Sequence, residues 1–456
     1  MNYDVIIVGA GPAGIFSALE LVGNSDLDVL ILEKGRDIDQ RHCPMKEDDI
    51  DCVECNNCSV VCGWGGAGAY SDGKLTLSSQ VGGNLANYIG EDNLEELIDY
   101  VDDLYCDFGA PTKTYGATSE VSEKISHEAA RAELEFVPSR IRHLGTGYSQ
   151  TVLTNLKDHL VAEGVTVKTG VKVAQILTEE EEVTGVRTEA GEVIEAAKVV
   201  VAPGRENSDW MTKEADRLGI KTALNPVDIG VRVEIPAAVM KDLTDKVYES
   251  KFIYHSPTFD DRVRTFCMCP EGEVVSENNN GLITVNGHSH ATRKTQNTNF
   301  ALLVSKTFTE PFKEPITYGR DIAKLANLLG GGVLVQRLGD FCDGRRSTPE
   351  RIERSIVEPT LKSATPGDLS LVLPYRHLMA IDEMLQALDK VCPGVYSRHT
   401  LLYGVEVKFY SSRLQVKDNL ETKIDDLYVA GDGAGITRGL MQASVSGVVI
   451  AREILS

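Results

Sequence analysis

Near its start the chain reads Asp4-Val5-Ile6-Ile7-Val8-Gly9-Ala10-Gly11-Pro12-Ala13-Gly14, and a second apolar run follows, Val29-Leu30-Ile31-Leu32-Glu33-Lys34-Gly35. The β-branched residues of the first run predict a buried parallel strand. The glycines have the G-x-G-x-x-G spacing, which permits a tight turn, close approach of the backbone to a pyrophosphate and close helix packing. We therefore expect a βαβ dinucleotide-binding unit whose helix begins near Pro12 and holds phosphates at its N-terminus.

An acidic residue at the end of the second strand strengthens this prediction. Glu33 lies nineteen residues beyond Gly14, at the position where a carboxylate accepts hydrogen bonds from a ribose diol. A glycine motif alone is weak evidence, because many α/β proteins contain glycine-rich turns. Strand, turn, helix, strand and acid together indicate a dinucleotide site.

Length and charge limit the remaining possibilities. A chain of 456 residues predicts two or three domains. The formal charge of -22 disfavours nucleic acid and anionic membranes as partners, since both attract clustered Lys and Arg. No segment has about 18 uninterrupted apolar residues, and the first apolar run lacks a basic leader, so we expect a cytoplasmic protein without a transmembrane helix.

The middle of the first half predicts a helix followed by strands. Leucines and valines spaced on one face predict an amphipathic helix over 151–163. Strands are expected over 165–170, 171–177, 183–188 and 192–196, and they suggest a three-stranded crossover meander in which the acidic run 179–182 forms a hairpin turn. A parallel strand, 197–201, then leads into Ala202-Pro203-Gly204, a turn expected to close over the cofactor.

The C-terminal segment indicates which dinucleotide is bound. A strand over 426–430 ends in Gly431-Asp432, and a helix rich in small residues is expected from about 439 to 455. Glycine permits close approach of the backbone, and the carboxylate of Asp432 can accept a hydrogen bond from a polyol hydroxyl. This requirement fits the ribityl chain of a flavin, which NAD lacks, and so favours FAD.

These motifs together resemble the two-dinucleotide-binding-domain flavoproteins. Three further segments, Gly63 to Leu75 (GWGGAGAYSDGKL), Asp228 to Glu234 (DIGVRVE) and Phe266 to Pro270 (FCMCP), resemble a family of FAD-dependent dehydrogenases that is distantly related to BaiN-like and fumarate reductase flavoproteins. The resemblance covers nearly the whole chain. It implies FAD and redox chemistry, and it implies no particular substrate.

The resemblance also implies the domain organisation. We expect an α/β, Rossmann-like FAD domain that is discontinuous, formed by 1–90, 140–235 and 400–456, with an inserted α+β substrate or cap domain over 236–399. A cysteine-rich insertion is expected over 43–63 and a helical excursion over 91–139.

The loop from Gly63 to Leu75 contains five glycines, which suggests that its backbone passes close to a flat group. In the related flavoproteins the equivalent loop lies against the isoalloxazine ring, where backbone N–H groups stabilise the reduced flavin. Lys74 would add positive charge there; alternatively it is a surface lysine, and Ser71-Asp72 merely caps a turn. The residues predicted to bind the cofactor are Gly9, Gly11, Ala13, Gly14, Glu33, Lys34, Gly66, Ser71, Ala202, Gly204, Gly431 and Asp432.

Directly before this loop, four cysteines have the spacing of a ferredoxin motif: Cys52, Cys55, Cys58 and Cys62. Such a run binds a [4Fe-4S] cluster, which would lie close enough to pass electrons to FAD. Two departures weaken the match, because Gly63 replaces the usual Pro and no second run is present. Structural zinc, a redox-active dithiol and inert thiols therefore remain open.

Candidate substrate-binding residues lie in the second half. His288, Arg345, Arg346 and Arg376, together with Lys74, are the predicted catalytic residues, since each offers a proton donor or a carboxylate clamp. Arg345-Arg346 is the preferred anion site. Alternatively, each of these side chains has no catalytic role and is either solvated or bound to a partner within the core.

The sequence thus predicts an FAD-dependent oxidoreductase that transfers hydride at flavin N5 to or from an unsaturated organic small molecule. No second G-x-G-x-x-G unit is found for NAD(P)H, which favours ferredoxin or an iron–sulfur cluster as electron donor, although NAD(P)H binding at the flavin face remains open. The alternative function is a non-catalytic flavin electron carrier or a subunit of a larger redox complex.

Overall fold

A computed structural model of the chain describes residues 2–44, 53, 55, 57–71, 73–116, 118–279, 281–289, 293–309, 312 and 314–456. These residues divide into two compact units. Unit 1 is formed by 1–114, 141–225 and 410–456, and unit 2 by 115–140 and 226–409.

The strands and helices are numbered in chain order. The strands are β1 (Asn2–Val8), β2 (Val29–Glu33), β3 (Lys74–Leu77), β4 (Thr114–Tyr115), β5 (Glu135–Val137), β6 (Arg140–His143), β7 (Thr166–Thr169), β8 (Val173–Glu179), β9 (Glu182–Thr188), β10 (Val193–Val201), β11 (Thr222–Ala223), β12 (Val227–Pro236), β13 (Lys251–His255), β14 (Arg262–Cys269), β15 (Glu273–Asn279), β16 (Leu282–His288), β17 (Asn297–Lys306), β18 (Leu334–Arg337), β19 (Thr365–Pro366), β20 (Leu401–Lys408), β21 (Arg413–Leu414) and β22 (Leu427–Val429). The helices are α1 (Pro12–Asn24), α2 (Ala86–Ile89), α3 (Glu91–Asp107), α4 (Ser119–Arg131), α5 (Gly145–Ala162), α6 (Ser208–Leu218), α7 (Ala237–Val247), α8 (Pro315–Gly330), α9 (Leu338–Cys342), α10 (Pro349–Glu353), α11 (Tyr375–Val391) and α12 (Leu440–Leu455).

Unit 1 is built on one mostly parallel sheet. Its strand order is β7-β2-β1-β10-β9-β8, and β22 also pairs with β10. The pairs β7–β2, β2–β1, β1–β10 and β10–β22 are parallel, whereas β8, β9 and the start of β10 form an antiparallel meander. The residues of β1 from Val5 to Val8 and all of β2 are buried, as expected for strands covered on both faces.

Helices α1 and α12 cover one another closely in unit 1. A Cβ atom on Gly447 of α12 would lie 2.1 Å from the backbone oxygen of Ala13 in α1, so only glycine fits there. Helix α3 joins this layer, because the Tyr105 hydroxyl hydrogen-bonds to Ser444 (2.9 Å) and its ring lies 4.7 Å from that of Phe16.

Unit 2 contains an eight-stranded sheet in the order β19-β18-β20-β12-β17-β14-β13-β5. All of its pairs are antiparallel except β18–β19. One face packs in an apolar core with helices α4, α7, α8 and α11. The hairpin β15–β16 forms a separate two-stranded sheet, and its Val274 and Val285 pack with Leu401 and Tyr403 of β20.

The predicted fold class is confirmed: unit 1 is a Rossmann-like α/β fold, and unit 2 is α+β. The hairpin turn at 179–182 and the C-terminal helix are also confirmed. Strands β8, β9 and β10 form a three-stranded meander, and β7 pairs with β2. One detail differs: the segments predicted as separate strands over 192–196 and 197–201 are one strand, β10.

The units also show where the predicted segments lie. Residues 226–235 and 400–409, expected in the FAD domain, belong to unit 2. The predicted helical excursion is divided, with α3 in unit 1 and α4 in unit 2. Among the described residues, no helix combines the length and the hydropathy needed to cross a membrane.

We expect Gly447→Ala to destabilise the protein by roughly 1–3 kcal/mol, because the added methyl group would overlap the backbone of α1. Gly23→Ala is the matched control: Gly23 lies in α1, nothing lies within 4 Å of its Cβ position, and the change should preserve or slightly raise stability. Urea unfolding monitored by circular dichroism measures both. Equal stability of the two variants would contradict the close packing of α1 on α12.

Candidate functional site

The turn between β1 and α1 requires two of the predicted glycines. Gly9 has a φ of 107°, and a Cβ atom there would lie 2.2 Å from the carbonyl oxygen of Ala202, which follows β10. A Cβ atom on Gly14 would lie 2.0 Å from the Gly9 oxygen. Strand, turn and helix therefore approach each other at the distance that the motif predicts.

The N-terminus of α1 is open. Gly11 is its N-cap, no side chain caps it, and nothing lies within 4 Å of the Gly11 Cβ position. The first N–H groups of a helix lack intrahelical acceptors and favour a negative group. Gly431 lies beside this turn, since its Cβ position is 3.3 Å from the Cβ of Ala13. This geometry fits a pyrophosphate.

The carboxylate of Glu33 holds three segments together. Its Oε2 accepts from Ala10 N (2.9 Å), and its Oε1 accepts from Gly35 N (2.8 Å) and Gly63 N (2.9 Å). Glu33 is only 7% exposed. Since a carboxylate has about four acceptor positions, one position remains for a hydroxyl of the predicted ribose.

Lys34 connects the end of β2 to the segment after β10. Its ammonium group pairs with Glu206 and donates to Asn207 Oδ1 (2.6 Å). Gly204 precedes these residues with a φ of 65°, and a Cβ atom on Gly433 would lie 2.5 Å from its oxygen. The structure thus brings the predicted residues Lys34 and Gly204 to the same edge of the parallel sheet as the fingerprint turn.

The glycine-rich loop reaches this edge as well. Gly65 N donates to Ala10 O (2.8 Å), and the Cβ position of Gly66 lies 3.2 Å from Gly11 Cα. Ser71 has the turn-capping role considered as an alternative: its hydroxyl donates to Gly68 O (2.9 Å) and accepts from Gly73 N (3.1 Å). Asp72 lies outside the described residues, and Lys74 is half-buried at the start of β3.

Asp432 lies in the turn between β22 and the C-terminal helix α12. Oδ1 accepts from Thr437 Oγ1 (2.9 Å), Oδ2 accepts from Gly439 N (3.1 Å), and Arg205 Nε lies 3.7 Å away. Burial raises the pKa of Asp432 above its usual value. Each oxygen keeps one acceptor position, which fits the predicted contact with a polyol.

Gln442, in the first turn of α12, was not predicted. Its amide nitrogen donates to Ser79 O and Val81 O (3.3 Å each), whereas its buried Oε1 has no partner among the described residues. An unpartnered buried acceptor is costly and suggests a ligand donor. Its only signal in the sequence is a long polar side chain in a helix of small residues.

The cysteine run is only partly described, because Cys52 lies outside the described residues. Cys55 is exposed, Cys58 is half-buried and Cys62 is buried. Burial raises the pKa of the Cys62 thiol to about 12, although nearby Lys34 opposes the shift. The described residues contain no group of three or more His, Cys, Asp or Glu placed to hold a metal. The described cysteines therefore do not fit a cluster in this arrangement, and the metal site stays a prediction.

The predicted catalytic residues of unit 2 have separate partners. Arg345 pairs with Asp340 (2.9 Å) and Asp343 (3.0 Å), and Arg376 pairs with Asp261 (2.7 Å). Arg346 is exposed, and His288 ends β16, opposite Glu273. No contact among the described residues joins these groups into one site.

The segment from Asp228 to Glu234 in β12 contributes buried charged groups that were not predicted as site residues. Arg232 is fully buried, donates to Asn299 Oδ1 (2.8 Å) and Cys267 O (2.5 Å), and pairs with Glu406 (3.4 Å). Asp228 accepts from Arg264 (2.6 Å) and Ser305 (2.6 Å). Glu234 accepts from Tyr403 (2.5 Å) and Asn297 (3.0 Å).

Known proteins resemble the chain at several levels. The chain is 27% identical over 474 residues to an uncharacterized protein from Clostridium beijerinckii, covering 99% of this chain and 80% of that protein. Solved structures that resemble it include L-proline dehydrogenase from P. horikoshii (12% identity, TM-score 0.42, covering 99% of this chain and 93% of the other). Another solved structure that resembles the chain is the 3-ketosteroid-delta4-(5alpha)-dehydrogenase from Rhodococcus jostii RHA1 (14% identity, TM-score 0.45, covering 100% of this chain and 97% of the other).

The match that bears on the cofactor lies in unit 2. Residues 226–409 match the family described as FAD-dependent protein, C-terminal domain-like. The matched range is the same as the longer segment of unit 2. Unit 2 is therefore similar, over this segment, to that family.

Proposed function

We propose that the chain is an FAD-dependent oxidoreductase that transfers hydride to or from an unsaturated organic small molecule. The observation that carries this proposal is the uncapped N-terminus of α1, with open space beside Gly11. The family match of residues 226–409 supports FAD as the dinucleotide.

The chain's own groups would hold the cofactor in a defined orientation. The first N–H groups of α1 would bind the pyrophosphate, the free acceptor position of Glu33 a ribose hydroxyl, and Asp432 a hydroxyl of the ribityl chain. Gln442 Oε1 offers a further acceptor for an N–H group. When bound, FAD supplies a site for hydride transfer at N5 of the flavin.

Two of the predicted substrate-handling residues are already engaged in ion pairs. Arg345 and Arg376 are already paired with carboxylates, so an anionic substrate would have to compete with Asp340, Asp343 and Asp261. Lys74, Arg346 and His288 remain proposed as catalytic residues.

The proposal for the electron donor follows from the sequence, which contains no second dinucleotide-binding motif for NAD(P)H. Reduced ferredoxin is the favoured donor, and NAD(P)H acting directly at the flavin is the other. The cysteine run would relay electrons only if Cys52 and the three described cysteines gather around a cluster.

Replacement of Gly11 separates cofactor binding from folding. Gly11→Asp should leave the unfolding free energy of the apoprotein unchanged or raised by up to about 1 kcal/mol, because Asp is a good N-cap and meets nothing within 4 Å. The same carboxylate would repel the pyrophosphate, so FAD bound after purification should fall at least tenfold. Absorbance at the flavin bands measures occupancy; Gly11→Asp protein that still binds FAD would contradict this site.

Anaerobic stopped-flow reduction tests the enzymatic function. We expect reduced ferredoxin or NAD(P)H to bleach the flavin, and an unsaturated small molecule to reoxidise it faster than oxygen does. If a donor bleaches the flavin but no small molecule accelerates reoxidation, the protein is an electron carrier instead. If the wild-type protein binds no flavin, the whole proposal fails.

Metal analysis tests the cysteine run. Anaerobically purified protein should contain about four irons per chain if the cysteines hold one [4Fe-4S] cluster. Cys58→Ser should remove this iron, whereas Cys342→Ser, in unit 2, should not. If the protein contains stoichiometric zinc and no iron, the cysteines form a structural zinc site. If it contains neither metal, the cysteines are thiols that bind no metal.

A further inference from the structure

The glycine-rich loop contacts the first turn of α12, and both lie in unit 1. A Cβ atom on Gly68 of this loop would lie 2.7 Å from Leu440 Cδ2, and Leu440 is the first residue of α12. The chain that follows the loop stays beside the same turn, since Gly82 O accepts from Arg438 N (2.5 Å). The loop that is predicted to lie against the isoalloxazine ring is therefore in contact with the start of the C-terminal helix.

The sites described in unit 1 give the direction in which a bound FAD would extend. The turn at Gly11, which lies beside Gly431, fits the pyrophosphate. The carboxylate of Asp432, the next residue, fits the ribityl chain, and it accepts from the backbone N–H of Gly439 (3.1 Å). Gly439 is the N-cap of α12. A flavin ring that continues in this direction would lie beside the first turn of α12.

The N-terminus of α12 is open to a negative group. Its N-cap, Gly439, has no side chain to cap the helix, and no described residue lies within 4 Å of the Gly439 Cβ position. The first N–H groups of a helix lack intrahelical acceptors, and the helix dipole places positive partial charge at this end. The start of α12 therefore favours negative charge at the place where the flavin ring is expected.

Gln442, in the same turn of α12, gives an independent indication of a ligand. Its side chain is buried, with a residue exposure of 1%. Its amide nitrogen donates to Ser79 O and Val81 O, whereas its Oε1 has no partner among the described residues. Because a buried acceptor without a donor is costly, a ligand N–H group would stabilise it. The pyrimidine part of a flavin carries such a group at N3.

Arg438 adds a full positive charge to this turn. Its guanidinium lies 3.6 Å from the centre of the Tyr410 ring, which also belongs to unit 1. This cation–π contact holds the side chain in place, and it leaves the charge on the guanidinium. Asp432 already pairs with Arg205 (3.7 Å). Burial raises the pKa of Asp432, and the charges of Arg205 and Arg438 oppose this shift, so Arg438 acts electrostatically at the position of Asp432.

We propose that Arg438, together with the first N–H groups of α12, stabilises the reduced state of the bound flavin by holding negative charge at its N1 and C2=O edge. Hydride transfer to N5 adds one negative charge to the ring, and this charge is shared by N1 and C2=O. Groups that interact more strongly with the reduced than with the oxidised flavin favour reduction. This inference rests on the proposed function, because it requires bound FAD, but its test does not depend on turnover of a substrate.

Redox titration of the flavin-loaded protein tests the proposal. Arg438→Gln and Arg438→Met should each lower the two-electron midpoint potential of the flavin by about 30 mV or more, which corresponds to a tenfold loss of preference for the reduced state. Arg438→Lys should keep most of the wild-type potential, because the positive charge remains. Arg187→Gln is the matched control, since Arg187 is an exposed arginine of β9 that donates to Gln175, and its potential should equal that of the wild type.

Circular dichroism and flavin absorbance show whether each variant is folded and loaded. A loaded Arg438→Gln or Arg438→Met protein with the wild-type potential would overturn the proposal, and so would an equal fall in Arg187→Gln or in Arg438→Lys. Loss of flavin from both neutral variants would also overturn it, because the charge would then act on binding of the oxidised cofactor. A wild-type protein that binds no flavin would instead contradict the proposed function itself.

The pH dependence of the potential gives a readout that a structural role would not change. A reduced flavin held as an anion takes up one proton with two electrons, so its potential should fall half as steeply with pH as when two protons are taken up. In Arg438→Gln the steeper fall should extend to higher pH, because the cation that disfavours a proton on N1 is gone. Asp432 and Arg205 are the same in both proteins, so their effects cancel in the comparison. Identical slopes in the two proteins would overturn the proposal.

Discussion

The dinucleotide-binding region depends on the hydrogen bonds that the carboxylate of Glu33 accepts. It accepts backbone hydrogen bonds from the fingerprint turn, from the end of its own strand and from the start of the glycine-rich loop. Three buried N–H groups would lose their acceptor without it, at a cost of about 1–3 kcal/mol each. The acid therefore positions the protein backbone first, and only its remaining acceptor position is available to a ribose.

Much of unit 1 could be predicted because its signals are local. Glycine spacing, an apolar strand and an acid at a fixed distance are properties of a short segment, and the structure places them as expected. The pairing of β7 with β2 could not be predicted, because it depends on which strand edge is open after the sheet has formed. The glycines at 63–66 likewise predicted that the backbone of this loop approaches another group closely. The sequence did not show that this group is Gly11.

Candidate site residues in unit 2 were harder to predict for a physical reason. Arg345 and Arg376 have the residue types of an anion site, but Asp340 and Asp261 neutralise them, and only the folded chain brings these pairs together. The segment Asp228–Glu234, noted only for its resemblance, is explained by the buried partners of its three charged residues. Buried ion pairs carry a large desolvation cost and are better evidence for a specific arrangement than for stability.

The long separation along the chain between β22 and α12 and their partners has a consequence for biosynthesis. Strand β22 pairs with β10, and α12 packs on α1, so the parallel sheet and its helical layer are complete only after residue 455 has left the ribosome. Unit 2, apart from its short segment 115–140, is synthesised in between. Its strands are free to pair while β10 waits for β22, more than 200 residues away, and α1 waits for α12, more than 400 residues away. Such long-range closure is slow and leaves apolar surface exposed in the nascent chain, so a cofactor that binds across the completed edge would also act as the last step that commits the chain to its native state.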